Sequence, residues 1–118
     1  DPPMDAAAAT ERARAVMAEV RDAYGLPPFA PDPLLDAAAR TWLVTPDAPV
    51  AEVARRAGLD PARAWRWECR GGTVESCLDS VVWDPRARPG LLLEDALWGL
   101  VAEVGPSGVR LVAAVGRP

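Results

Sequence analysis

Trp65-Arg66-Trp67-Glu68-Cys69-Arg70-Gly71-Gly72-Thr73 is where the hydrophobic period of this chain changes, and its reading decides the fold. Trp65, Trp67 and Cys69 alternate with Arg66, Glu68 and Arg70. A period of two marks a strand with one buried and one polar face, because successive strand side chains point to opposite sides. Gly71-Gly72 turns the chain, and Thr73 reads as the N-cap of a helix. The inward face of that helix is Val74, Cys77, Leu78, Val81 and Val82, and Asp84-Pro85 stops it.

Upstream of this stretch the period is helical. Ala9, Ala13, Val16, Val20 and Tyr24 follow the three- and four-residue spacing of one helix face, with Met17 alongside. Glu11, Arg12, Arg14, Glu19, Arg21 and Asp22 fall on the solvent side, with Asp5 as N-cap and Gly25 as C-cap. Residues 1–8 are expected to form a loose N-terminal segment of the domain. Asp32-Pro33 opens a second helix whose apolar face is Leu35, Ala38, Ala39 and Trp42, ending at Thr45-Pro46. A third, shorter helix runs from Asp47-Ala48-Pro49 through Val50, Val53, Ala54 and Ala57 to Gly58.

Downstream, residues 86–95 read as a loop with an apolar Leu91-Leu92-Leu93 patch. Residues 96–104 and 109–115 are Val-rich and flank Gly105-Pro106-Ser107-Gly108, which predicts a β-hairpin. The order is α-α-α-β-α-β-β. It predicts an α+β domain in which a small antiparallel sheet of about three strands packs between helices as an α-β-α sandwich. At 118 residues and without an internal repeat or long linker, the chain is one domain.

Composition narrows the chemistry. The chain has no His, Lys, Asn, Gln or Ile, and all 13 basic residues are Arg. Loss of the AT-rich codon residues is the mark of a GC-rich genome, and a bacterial one is suspected. Without imidazole there is no Ser-His-Asp or Cys-His pair and no group titrating naturally near neutrality. A zinc site would rest on two Cys and carboxylates, an uncommon set. A glycosidase needs only two carboxylates, but 17 acidic residues offer no way to choose a pair. The net charge of −4, with Arg and acidic residues interleaved, argues against nucleic-acid binding. No run reaches the ~20 apolar residues of a membrane span.

Cys69 and Cys77 lack the CxxC spacing of redox motifs and zinc knuckles. Bonded, they would close a short loop and stabilise the fold by about 2.5 kcal/mol in the chain-entropy model. That bond needs an oxidising compartment. Unbonded, they are small buried thiols. The chain starts at Asp1, which fits removal of a signal peptide and fits a fragment of a longer protein equally well.

Three ordered motifs carry a family resemblance. The first is Arg21-Asp22-Ala23-Tyr24-Gly25-Leu26-Pro27-Pro28-Phe29, followed by Leu34-Leu35 and Ala37-Ala38-Ala39-Arg40. The second is Trp67-Glu68-Cys69 and the third is Trp83-Asp84-Pro85-Arg86-Ala87-Arg88-Pro89-Gly90-Leu91-Leu92. They resemble, in order, the GLPPL-type helix entry, the Gly-Glu-Asn motif and the SPGHRANLL segment of the CAP superfamily (cysteine-rich secretory proteins, antigen 5 and pathogenesis-related proteins) in its compact bacterial branch. The resemblance covers about residues 10 to 116.

The family's cleft carries two His and two acidic residues, which in some members bind a divalent metal. By the resemblance, Trp42 stands where the second-helix His belongs and Ala87 where the other belongs. Glu68 matches one acidic member, and the second has no counterpart we can place. A lone carboxylate holds a divalent ion poorly. The resemblance therefore implies a degenerate cleft, no metal and no cofactor.

Glu68 reads either as a surviving cleft carboxylate or as a partner of Arg66 or Arg70 on an exposed strand face. Trp42, Trp65, Trp67, Trp83 and Trp98 are either core or an aromatic platform for a sugar or peptide. Arg86 and Arg88 are either solvated loop residues or a carboxylate or phosphate clamp beside the cleft. The expectation is a secreted or envelope-associated, non-catalytic module that binds a protein partner. Its alternative is a binder of small anions or sugars, or a weak enzyme, using Glu68 and nearby arginines. A third reading is an accessory domain of a longer chain.

Overall fold

A computed structural model describes residues 5–117. Asp5 accepts a hydrogen bond from the Ala8 amide and starts helix α1, Ala6–Ala23. Residues 6–8, expected to be loose, are therefore helical; residues 1–4 of that expectation lie outside the described part. The buried stripe of α1 is Ala9, Ala13, Met17 and Arg21, a run of i, i+4 steps. Val16 and Val20 are half-buried and Tyr24 is exposed, so the helix is rolled relative to the face read from its apolar residues. The cause is Arg21, expected on the solvent side and 1% exposed.

The Leu26–Phe29 connector leads into β1, Ala30–Pro31. Asp32 caps helix α2, Pro33–Val44, through the Leu34 amide, and Pro33 occupies its first turn. The buried residues of α2 are Leu35, Ala38, Ala39 and Trp42, the face its spacing predicts. Helix α3, Val50–Arg56, buries Val53 and Ala54 and closes at Gly58, whose φ is +78°. A single 3₁₀ turn, Pro61–Arg63, delivers the chain to β2, Ala64–Gly71. Helix α4, Val74–Val82, begins in a capping box between Thr73 and Ser76. Residues 86–95, read as a loop, hold one short helix, α5, Arg88–Leu91, because Ala87 and Leu91 both turn into the core. The hairpin strands are β3, Leu97–Gly105, and β4, Gly108–Gly116.

Among the described residues the sheet has four strands, in the order β1-β3-β4-β2. The expected antiparallel sheet of about three strands is present, in the order β3-β4-β2, and β1 adds a parallel edge to it. Two residues, one of them proline, carry no readable strand period; β1 forms because the Ala30 and Asp32 amides reach the Ala96 and Trp98 carbonyls.

Alternation along the strands divides the core in two. Trp67, Cys69, Trp98, Leu100, Leu111, Ala113 and Val115 face α1, α4 and α5. Val112 and Ala114, with half-buried Leu97 and Val101, face α2 and α3. On this second side α2 lies directly on β3. A Cβ at Gly99 would fall 2.1 Å from the Asp36 amide nitrogen, so only glycine fits. The Cys69–Cys77 disulfide, with Cα atoms 5.2 Å apart, ties β2 to α4.

Candidate functional site

The polar face of β2 points toward α2 and α3 and sets the chemistry there. Glu68 Oε2 accepts from Arg110 Nη2 at 2.8 Å and from Arg110 Nε at 3.3 Å, and lies 3.5 Å from Arg66 Nη2. Strand register makes this possible. Arg110 stands opposite Arg70 in the β2–β4 ladder, diagonal to Glu68 and on the same face. The Arg110 Nη1 group also donates to the Leu43 carbonyl at 3.1 Å, so one guanidinium ties the strand carboxylate to the end of α2.

Trp42 closes the other side. Its indole N–H donates to the Ala48 carbonyl at 3.0 Å, and the Arg66 guanidinium lies 5.8 Å from its ring centroid. The structure thus brings Trp42 and Glu68 into one cluster through Arg66. Arg110, not singled out from the sequence, is its fourth member. Its signal was the alternation of the second hairpin strand, which puts Arg110 on the face opposite Leu111. Arg66 is the strand neighbour that reaches Glu68. Arg66 Nε is buried and without a partner among the described residues.

Ala87, Arg86 and Arg88 lie elsewhere. Ala87 is packed in the cluster of α1, α4 and α5, whereas Trp42 belongs to the cluster on the other side of the sheet. The two positions where the resemblance places histidines are thus separated by the sheet. Arg88 Nη2 donates to the Tyr24 hydroxyl at 2.8 Å, at the end of α1. Arg86 is exposed, and its backbone amide donates to Asp84 Oδ1. The five tryptophans form no common platform. Trp42, Trp67 and Trp98 are buried in two different clusters, Trp65 is half-buried and Trp83 is 72% exposed.

The cluster at Glu68 does not suit a divalent metal. Its one carboxylate is engaged by two guanidinium groups, whose fixed positive charge opposes a cation. Among the described residues, no group of three or more His, Cys, Asp or Glu is placed to hold a metal ion.

A second charged centre was missed in the sequence. Arg21 Nε donates to the Pro27 carbonyl at 2.7 Å, Nη1 to Leu91 at 2.6 Å and Nη2 to Leu93 at 2.8 Å. The guanidinium also lies 4.0 Å above the Phe29 ring. Burial pushes its pKa below the ordinary arginine value, yet arginine stays charged at physiological pH. The site is a structural staple, joining α1 to the connector before β1, to the end of α5 and to the segment after it.

No known protein-family model matches this sequence, and no curated protein matches it significantly. Solved structures do. An outer surface protein of Borrelia burgdorferi superposes with a TM-score of 0.72 at 13% identity, over 92% of each chain. A cysteine-rich secretory protein of Staphylococcus aureus gives 0.76 at 13% identity, over 99% of this chain and 40% of that one. An extracellular SCP-domain protein of Bacillus anthracis gives 0.67 at 13% identity, over 100% of this chain and 45% of that one. This chain therefore shares the fold of these proteins, the fold that the CAP resemblance implies, and it spans less than half of the staphylococcal and Bacillus proteins.

Proposed function

We propose that this chain is a non-catalytic CAP-fold module that works outside the bacterial cytoplasm and binds a protein partner. The observation that carries the reading is the state of Glu68. Its carboxylate is neutralised by Arg66 and Arg110 instead of facing a second acid or an imidazole. General acid–base catalysis needs a group free to give or take a proton within reach of substrate, and a Lewis-acid site needs several ligands. The cluster around Glu68 meets neither requirement.

The compartment follows from two supports. Three structural neighbours are an outer surface, a secretory and an extracellular protein. The Cys69–Cys77 bond belongs to an oxidising environment.

The test is affinity capture with the tagged domain from culture medium and envelope, read by mass spectrometry of the eluate. A stoichiometric protein, displaced by untagged domain, supports the reading. A small molecule in place of protein, lost in Glu68→Ala, overturns it in favour of a ligand-binding cleft.

A further inference from the structure

β3 is nine residues long, but β1 covers only Leu97 and Trp98. Beyond them no described residue pairs with the strand on that side. Gly105 pairs with Gly108 across a two-residue turn, which makes that pair hydrogen-bonded and directs the odd-numbered residues of β3 toward β4. The even-numbered residues present their backbone groups to the open edge. Two contacts agree with this: the Trp98 carbonyl accepts from the Asp32 amide at 3.0 Å, and the Leu100 amide donates to Asp36 Oδ1 at 3.1 Å. That leaves the Leu100 carbonyl and both backbone groups of Ala102 and Val104 without a strand to pair with among the described residues.

Natural sheets blunt such an edge with Lys, Pro, a bulge or a covering element. Between Val101 and Val104 this one carries a single charge, Glu103, and neither Lys nor Pro. Instead it floors a groove of about 390 Å³ walled by α1 at Ala6, Ala7 and Thr10 and by α2 at Asp36 and Arg40. Asp36 lies at the level of Leu100, and the Leu43 carbonyl meets Arg110, the partner of Glu103. Arg40 therefore stands on the α2 wall beside Ala102. It forms no ion pair with any described residue, and Asp36, one turn before it, is engaged by the Leu100 amide. On the opposite wall Arg14 lies 5.8 Å from the Trp98 ring centroid. This places the small Ala6 and Ala7, two turns earlier in α1, toward Ala102. Glu11 lies on the same wall nearer the level of Leu100.

We infer that the open edge of β3 is a docking strand for an extended peptide segment of a partner protein, one that alternates acidic and small apolar residues. The peptide adds a fifth strand by pairing with Ala102 and Val104. Because strand side chains alternate, every second residue faces α2, where Arg40 attracts a carboxylate against the opposing charge of Glu103, while those between lie on Ala6 and Ala7. This rests on the protein-binding reading and names the surface and the partner's chemistry.

The probe is the blocked peptide acetyl-Val-Glu-Val-Glu-Val-amide, titrated into the whole ¹⁵N-labelled chain. Expected are shifts and slowed exchange at the Ala102 and Val104 amides. Methylating alternate peptide nitrogens, which deletes the main-chain bonds and keeps the charges, should weaken binding about tenfold or more. Replacing both Glu by Gln, or Arg40→Gln in the protein, should weaken it about three- to fivefold. No shift up to about 1 mM peptide, the weak limit of specific binding, overturns the inference. Equal binding of the methylated peptide overturns it too, as does concentration-dependent pairing of the peptide-free chain through the same amides.

Affinity capture with Ala102→Pro separates this inference from the broader reading. A partner held by both wild type and Ala102→Pro refutes the edge and keeps the module. A partner lost only in Ala102→Pro, with its remaining amide spectrum native, supports both. No protein held by wild type refutes the module even where the peptide binds.

Discussion

Arg21 Nη1 lies 2.6 Å from the Leu91 carbonyl oxygen, across 70 residues of sequence, with no carboxylate in the arrangement. The pair shows how a charge enters this core. The guanidinium is satisfied by three carbonyls and the face of Phe29, so it organises backbone and needs no counter-ion. Arg21→Gln leaves carbonyls of the connector, of the end of α5 and of the segment after it without their donor at a largely buried site. Hydrogen bonds to a charged group and buried orphaned acceptors together set the expected loss at about 3 kcal/mol, read by urea denaturation. Arg21→Lys, whose single ammonium cannot span three directions, should recover less than half of it.

The Glu68–Arg110 contact makes a different prediction, because Arg110 has a second anchor at Leu43. In a double-mutant cycle with Glu68→Ala and Arg110→Ala, the coupling energy should be about 1 kcal/mol, as for a partly buried, hydrogen-bonded pair. Arg110→Ala should be the costlier single change, since it also frees the end of α2. If Glu68→Ala proves neutral or stabilising, the pair is not what orders this face.

Most of the architecture was legible because it is periodic. The face of α2, the alternation of β2 and the hairpin turn each repeat their signal over several residues, and the described residues carry them where the sequence places them. What was hidden is single-residue or non-local. β1 is two residues held by a distant strand, and α5 is one turn folded onto the core by Ala87 and Leu91. Arg21 defied its own polarity because its partners are main-chain carbonyls, which leave no mark in a sequence. Of the cleft expected from the resemblance, Glu68 and Trp42 come together through Arg66. Ala87 does not join them, because no sequence pattern fixes which sheet face the segment after α4 will cover.

That separation yields a direct test with metal. Trp42→His and Ala87→His put imidazoles on opposite sides of a packed sheet, too far apart to share one ion. The double variant should bind zinc no better than either single variant by isothermal titration calorimetry. Zinc affinity appearing only in the double variant would place both positions in one cleft after all.

The Cys69–Cys77 bond should contribute mainly by restricting the unfolded chain. Its sequence separation is eight residues, for which loop-closure entropy gives about 2.5 kcal/mol. Cys69→Ala/Cys77→Ala, which fills the site with small apolar groups, should lower stability by about that amount in urea. Wild type with and without reductant should show the same difference. Native protein should yield no titratable thiol, as both cysteines are bonded.

Glu75 offers a pH readout on the surface. Its carboxylate accepts from Arg12 Nε, and this bond, helped by a backbone amide and by the charge of Arg12, holds its pKa below the ordinary glutamate value. Arg12 is correspondingly pushed up by the same partner. A carboxyl group whose folded pKa is depressed stabilises the fold fully above its unfolded pKa of about 4.3, and loses that contribution as pH falls through the lower folded value. Wild type should therefore exceed Glu75→Gln in stability near neutral pH by a small, salt-sensitive margin, because the pair is exposed. The margin should shrink in acid and vanish once the folded carboxyl is protonated. Carboxyl NMR of Glu75 should place its midpoint below that of a glutamate in an unstructured peptide, and Arg12→Gln should return it upward. A midpoint unmoved by Arg12→Gln would show that the bond between α1 and α4 does not persist in solution.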